Sequence, residues 1–157
     1  MKRTFSLLAV AALATAAPAQ QMPNPYGAPI QLEQARQIVA KARRLAAERK
    51  FAMAFAVVDP GGHLVLFEKM DGTQYGSEAI APAKARTAAQ FKRPTKAFSD
   101  AVAAGRTAIL SLPGVVAVEG GVPILLDGRI VGAIGVSGGT SEQDGEIAAA
   151  ALAGTGR

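Results

Sequence analysis

Two apolar segments of this chain run straight into turn residues, and that leaves few folds open. Phe51–Val58 reads FAMAFAVV, a continuous apolar run rather than an alternating one, which suits a central strand covered on both faces. Asp59-Pro60-Gly61-Gly62 follows at once. Proline fixes φ and the glycines allow positive φ, so His63–Met70 reads as the return strand of a hairpin. Further on, Asp127-Gly128 separates Val122–Leu126 from Arg129–Val136 and is a type I′ hairpin signal. Hairpins in place of β-α-β crossovers imply a mostly antiparallel sheet.

The helices are read from spacing and punctuation. Leu32, Ala35, Ile38, Val39, Ala42, Leu45 and Ala46 recur at three- and four-residue steps, which predicts an amphipathic helix with one packed face. Ser77-Glu78 opens a second helix that runs to about Phe91. Pro82 implies that its regular part starts only near Ala79–Pro82, or is kinked there. Arg93-Pro94-Thr95 breaks it, and Thr95 is placed to cap a short third helix ending at Gly105. Leu112-Pro113-Gly114 then turns into a strand over Val115–Val118. Ser141 with Asp144 resembles a capping arrangement for a last helix to Leu152. The expectation is an α+β fold with a five-stranded, mostly antiparallel sheet flanked by helices.

The first residues read as a leader rather than as fold. Lys2 and Arg3 precede an apolar stretch, Phe5–Ala14, and Ala17-Pro18-Ala19 has the small-x-small pattern of a signal-peptidase site, so residues 1–19 are expected to be cleaved after Ala19. The stretch is too short to span a membrane, which takes roughly 20 apolar residues. A periplasmic or secreted protein follows, without stable membrane insertion after cleavage. Residues 20–30, with Pro23, Pro25 and Pro29, read as an extended linker, and 31–157 as one domain. Loss of Lys2 and Arg3 lowers the formal net charge of +5 by two, and no basic run is interleaved with aromatics, so nucleic acid is not an expected partner.

Composition narrows the chemistry. The chain has no cysteine and no tryptophan, which removes disulfide scaffolds, thiolate zinc, iron–sulfur clusters and C-x-x-C-H haem attachment. Its single histidine, His63, removes motifs such as H-E-x-x-H. Gly135-Val136-Ser137-Gly138-Gly139 matches G-x-S-x-G, but no histidine follows Ser137, so a hydrolase triad cannot be assembled in that order. His63 itself follows a double glycine at a hairpin, where a neutral imidazole could ligate haem iron axially. Met70 and Tyr75 are the other candidate iron ligands. Lys84, Arg86, Lys92, Arg93 and Lys96 form a basic cluster able to clamp porphyrin propionates or a small carboxylate. Within it, Arg93 is held by the turn at Pro94, and Lys84 is a cation close to a helix start, where it opposes the dipole.

Three stretches carry a family resemblance: VVDPGGHLVLFEKMDG (Val57–Gly72), SEAIAPAKARTAAQFKRPT (Ser77–Thr95) and GGVPILLDGRIVGAIGVSGGTSEQD (Gly120–Asp144). In that order they resemble the GlcG/HbpS family of haem-binding or haem-degrading domains, which includes the C-terminal domain of PduO-type proteins. The resemblance implies a profilin- or PAS-like α+β fold, homo-oligomers, and haem or iron binding, with some members exported and active in haem sensing. Asp59, Gly61 and Gly62 match the family's hairpin, and Met70 and Asp71 its Met-Asp step. Lys84, Thr87, Arg93, Pro94 and Thr95 match its central helix and break; Gly121, Pro123, Gly132, Gly135, Ser137 and Gly138 match its C-terminal hairpin. A histidine after the double glycine is not fixed in the family, so His63 as a ligand comes from the residue itself. Many members read Asp-Glu where this chain has Asp144-Gly145-Glu146.

Three functions follow as expectations. The first is an exported haem-binding protein that scavenges, stores or senses haem and iron, with His63, Lys84, Arg93, Met70 and Tyr75 around the ligand. The second is a binder or cofactor-free enzyme for a small organic acid, clamped by Lys84 and Arg93 with Asp59 or Asp71 as acid/base. The third is an oligomeric module supporting another protein.

Overall fold

The computed structural model describes residues 23–155; the leader expected over residues 1–19 lies outside them. Helix α1 spans Leu32–Glu48, strands β1 and β2 span Ala54–Val58 and Leu64–Lys69, and helices α2 and α3 span Ser77–Gln90 and Lys96–Ala103. Strands β3 and β4 cover Gly121–Leu126 and Arg129–Ser137, and helix α4 covers Ser141–Leu152. The four strands are antiparallel in the order β2-β1-β4-β3. The expected α+β class therefore holds, with one strand fewer than the five read from the sequence.

Every residue of β1 is buried because the two sheet faces are covered by different helices. Met53, Phe55 and Val57 face α1 and α4, together with Ile38, Val39, Ile134, Val136 and Ile147. Ala54, Ala56 and Val58 face α2, where they meet Ala81, Ala85, Ala88, Ala89 and Ala133. The first face carries the bulk; full burial of a side chain such as Phe55 is worth about 1.5–3 kcal/mol. The second face is almost entirely alanine and glycine, which lets α2 lie close against the sheet. A methyl group at Gly135 would collide with the Ala81 carbonyl oxygen. The small residues of Gly135–Gly139 thus have a packing task, and the Ser137 hydroxyl is buried against that of Ser77 at 3.0 Å.

Both turns form as their residues dictate. Asp127 and Gly128 have φ of 49° and 70°, the pair of positive values a type I′ turn needs. Gly62 has φ 90° and closes a three-residue loop in which the Asp59 amide donates to the His63 carbonyl at 2.9 Å. Pro82 sits inside α2, which nonetheless runs unbroken from Ser77; its missing N–H costs one bond to Glu78 in a helix held by its buried face.

Val115–Val118 is not a strand. Its valines have β propensity, but the segment joins neither edge strand, β2 or β3. The Val116 amide instead donates to the Thr87 hydroxyl at 3.0 Å, which fixes the segment to α2 after a 3₁₀ turn over Thr107–Ser111. Thr95 does not cap α3 with its side chain, because its hydroxyl accepts the Gly121 amide at 2.9 Å. The last helix is capped by Thr140, which accepts the Gln143 amide, and not by Ser141. Residues 25–30 are extended but fastened: Ile130 donates to the Pro25 carbonyl and Gly27 donates to that of Ile130, each at 2.9 Å. The Tyr26 hydroxyl reaches the Ala89 carbonyl at 3.0 Å, and the Lys92 ammonium lies 4.1 Å from its ring centre. Tyr26 thereby straps the C-terminal end of α2.

Candidate functional site

The β1–β2 hairpin projects His63 into solvent, with its side chain 83% exposed and its Asp59 partner 24% exposed. One carboxylate holds this histidine twice. Asp59 Oδ1 accepts the His63 backbone amide at 2.9 Å, and Oδ2 lies 3.0 Å from Nδ1. An ionised carboxylate can only accept, so Nδ1 carries a proton, and in the neutral imidazole Nε2 holds the lone pair. Burial pushes the Asp59 carboxyl up, but the hydrogen bonds from His63 and the Gly61 amide, with the nearby imidazole, outweigh it and hold the group below the ordinary carboxylate value. The imidazole lies over Gly61, where an added methyl would stand 2.9 Å from Cε1. The glycine is what gives the ring its seat.

Behind the hairpin, α2 and the edge strand β2 enclose a shallow groove. Its floor is a hollow of about 240 Å³ lined by Leu64, Phe67, Pro82 and Glu78. Glu78, Pro82, Arg86 and Gln90 follow one another at four-residue steps along the same face of α2. Arg86 Nε donates to the Gly62 carbonyl at 3.2 Å and Gln90 Nε2 to that of Gly61 at 3.1 Å, so they tie the hairpin to the helix. Lys69 and Glu78, 3.4 Å apart, close the far end, where the Lys69 ammonium also lies over the exposed Tyr75 ring. The apolar hollow thus has the Lys69–Glu78 pair at one end.

The other residues singled out from the sequence do not converge there. Met70 follows β2, seven residues beyond His63, or about 20 Å at strand rise, whereas bonds from a metal to imidazole are about 2 Å. His63 and Met70 cannot bind one iron together. Met70 packs against the core and lines a different hollow, of about 430 Å³, with Arg43, Arg44 and Glu68. Arg93 lies exposed at the α2–α3 break, its guanidinium 5.8 Å from the Phe98 ring centre.

Lys84 is inside the protein. Its ammonium donates to Asp144 Oδ2 at 2.7 Å and to the Val136 carbonyl at 3.2 Å, with the two side chains 2% and 4% exposed. Burial pushes the Asp144 carboxyl above its ordinary value, against the downward pull of Lys84 and the Gly139 amide. Lys84 and Arg93 therefore form no carboxylate clamp. The sequence reading missed Asp144 as the partner of Lys84 and Tyr26 as a strap. The misfit of a cation near a helix start signalled Lys84, but no local feature points to residues 60 positions away.

Residues 30–153 match a family model described as "Haem degrading protein HbpS-like". The chain belongs to the HbpS-like family. Among its relatives, GlcG of Escherichia coli is 41% identical over 100 residues, which cover 64% of this chain and 75% of GlcG. A solved double mutant of Streptomyces reticuli HbpS superposes with a TM-score of 0.76 at 27% identity, covering 95% of this chain and 99% of that one. The structure of a PduOC:heme complex superposes with a TM-score of 0.72 at 30% identity, covering 82% and 99%. This HbpS-like chain also aligns with the corrinoid adenosyltransferase PduO of Salmonella typhimurium, at 33% identity, but spans only 36% of it.

The hairpin offers one imidazole donor, and the hollow behind it is smaller than a typical ligand pocket. Among the described residues no group of three or more histidine, aspartate or glutamate side chains is placed to hold a metal. An iron reaching Nε2 of His63 must bring its other ligands with it, and a porphyrin does. Leu64, half exposed and next to His63 in the chain, is apolar surface a macrocycle would meet, and Arg86, which holds the Gly62 carbonyl, would be the nearby cation.

Proposed function

We propose that this HbpS-like chain is an exported haem-binding protein, acting in haem or iron scavenging, storage or sensing, with His63 as the axial ligand. The observation that carries the reading is the geometry of His63: an exposed imidazole held at Nδ1 by Asp59, next in the chain to Leu64 of an apolar hollow. When bound, the haem would supply redox or ligand-sensing chemistry at its iron. The chain supplies Nε2, the apolar floor of Leu64, Phe67 and Pro82, and the Arg86 guanidinium for a propionate. The family description and the haem complex of a relative support the same ligand.

The groove is smaller than the roughly 300–1,000 Å³ of typical ligand pockets. It takes one face or edge of a flat macrocycle, which fits a homo-oligomer whose second copy covers the rest. The expected leader, if cleaved after Ala19, would send the protein to the periplasm or outside the cell. Among the described residues no helix is long and apolar enough to cross a membrane. The test is a hemin titration followed by absorbance. Wild-type protein should give a shifted Soret band that is lost or displaced in His63→Ala and kept in Met70→Ala; no spectral change in the wild type at micromolar hemin would reject the reading.

A further inference from the structure

We propose that the sheet face turned away from α2 carries a binding site for an aliphatic monocarboxylate, with Lys41 as its cation. A hollow of about 410 Å³ opens there between α1, β3 and the end of α4, within the roughly 300–1,000 Å³ of typical ligand pockets. It shares no residue with the hollow behind the β1–β2 hairpin, so the inference stands apart from the haem reading. Ile38, Ile124 and Ala151 wall it and belong to the buried core, so these walls are in place before a ligand arrives. Its polar groups come from one stripe of α1: Gln34, Gln37 and Lys41, at steps of three and four residues. Among the described residues that line it, Lys41 carries the only charge.

The Lys41 ammonium donates to the Ala153 carbonyl at 2.6 Å, and that bond uses one of its three N–H donors. The carbonyls ending α4 oppose an anion, but they amount to about half a charge against the full charge of the ammonium. The balance favours one negative group. A second hollow, of about 300 Å³, meets the first at Ile124, Ala153 and Thr155 and continues along Val122, Pro123 and Leu152. Among the described residues no charged side chain lines this second hollow. A cationic compartment thus opens into an aliphatic one, which matches a carboxylate head with a hydrocarbon tail. A dicarboxylate or a sugar phosphate would carry charge or hydroxyls into the apolar part without partners, and that is costly. Gln34 and Lys41 lie seven residues apart, about 10 Å at helical rise, a span similar to the extended chain of octanoate.

The test is a titration of the nitrogen-15-labelled protein with sodium octanoate, followed by amide chemical shifts, with affinities from calorimetry. Saturable shifts should gather at residues 37–41, 122–126 and 151–155 and leave 63–68 unmoved. Each methylene removed from the acid should weaken binding about 3–4-fold. Octan-1-ol keeps the tail without the charge, and Lys41→Met keeps the stem without the ammonium. Octan-1-ol on wild type, and octanoate on Lys41→Met, should each bind about 10–100-fold more weakly than octanoate on wild type. Lys41→Arg, which retains a cation, should recover most of the affinity. Circular dichroism checks the fold of each variant, because Lys41 also holds the end of α4; should Lys41→Met fail to fold, the shift map and the octanol contrast decide. The inference is overturned by no saturable shift at millimolar octanoate, by shifts centred outside the two hollows, or by equal affinity for octanoate and octan-1-ol. Equal affinity of wild type and folded Lys41→Met for octanoate would overturn it too. A protein that takes up hemin and not octanoate overturns this inference alone.

Discussion

Removing the charge from either partner of the Lys84–Asp144 pair should show what holds α2 and α4 to the sheet. The ammonium and carboxylate are 2.7 Å apart and shielded from water, and their bonds join α2, the end of β4 and the first turn of α4. Breaking a buried pair by removing one partner typically costs about 3–5 kcal/mol, because the other charge is left without compensation. That is from a fifth to the whole of a common domain stability of about 5–15 kcal/mol. Lys84→Met strands Asp144, whose carboxyl burial already holds above its ordinary value. Without the lysine, the folded state keeps a proton on Asp144 that the unfolded chain has released. Stability should therefore fall as pH rises from the unfolded carboxylate value of about 3.9 to the raised folded value, by up to about 1.4 kcal/mol per pH unit. Above the folded value the loss levels off. Lys84→Met should look mild near pH 4 and worst at pH 7–8. Lys84→Met combined with Asp144→Asn retains an acceptor for the Gly139 amide and leaves no charge, so it should be more stable at pH 7 than either single variant. Urea unfolding of wild type, both singles and the double, at pH 4 and pH 7, reads all of this. A double variant that costs the sum of the singles, or a Lys84→Met cost independent of pH, would refute the argument.

Gly135→Ala forces α2 away from β4 and should cost about 1–3 kcal/mol or more by urea unfolding. Gly128→Ala, where the added methyl meets nothing but φ is 70°, should cost only about 1–2 kcal/mol. Tyr26→Phe removes the hydroxyl bond to α2 and should lose about 0.5–1.5 kcal/mol, with faster amide exchange at residues 88–92 as the local sign. The Asp59 carboxyl is held below its ordinary value, so its contribution is present above that value and lost as pH falls through the folded one. Asp59→Asn should then flatten part of the acid side of the wild-type stability profile in urea titrations.

Features encoded by neighbouring residues were the legible ones. Asp127-Gly128 and Asp59-Pro60-Gly61-Gly62 specify turns within four residues, and both turns form with the positive φ values their glycines permit. The apolar run before the first hairpin foretold a strand covered on both faces, and β1 is buried throughout. Val115–Val118 failed for a physical reason: strand propensity describes how a residue fits a sheet, not whether the chain lays it along an edge. The edge strands β2 and β3 have no further partner among the described residues, and the Val116 amide is tied to α2 through Thr87 instead. Thr95 and Ser141 failed similarly. A hydroxyl at a helix start is available as a cap only if nothing else claims it, and the Gly121 amide claims that of Thr95.

The candidate site divides along the same line. His63 and Asp59 are four residues apart around a tight turn, and their pairing is local in the same sense as the turn itself. Lys84 and Arg93 looked alike in sequence, two cations on one helix and its break, yet the fold places one in the interior and the other in solvent. What separates them is the depth of each position on α2. Lys84 lies among Ala81, Ala85 and Ala88, on the face that meets the sheet, whereas Arg93 follows the end of the helix. A long cationic side chain on the buried face cannot reach solvent past close-packed alanine and glycine, so it needs an internal counter-charge, and Asp144 supplies one. Arg86, on the face turned to β2, has the hairpin carbonyl as its partner instead and can still meet an anionic group. The stabilising ion pair and the proposed haem ligand thus occupy separate parts of the fold, so variants at Lys84 should lower stability while leaving the hemin-induced Soret band of the remaining folded protein unchanged.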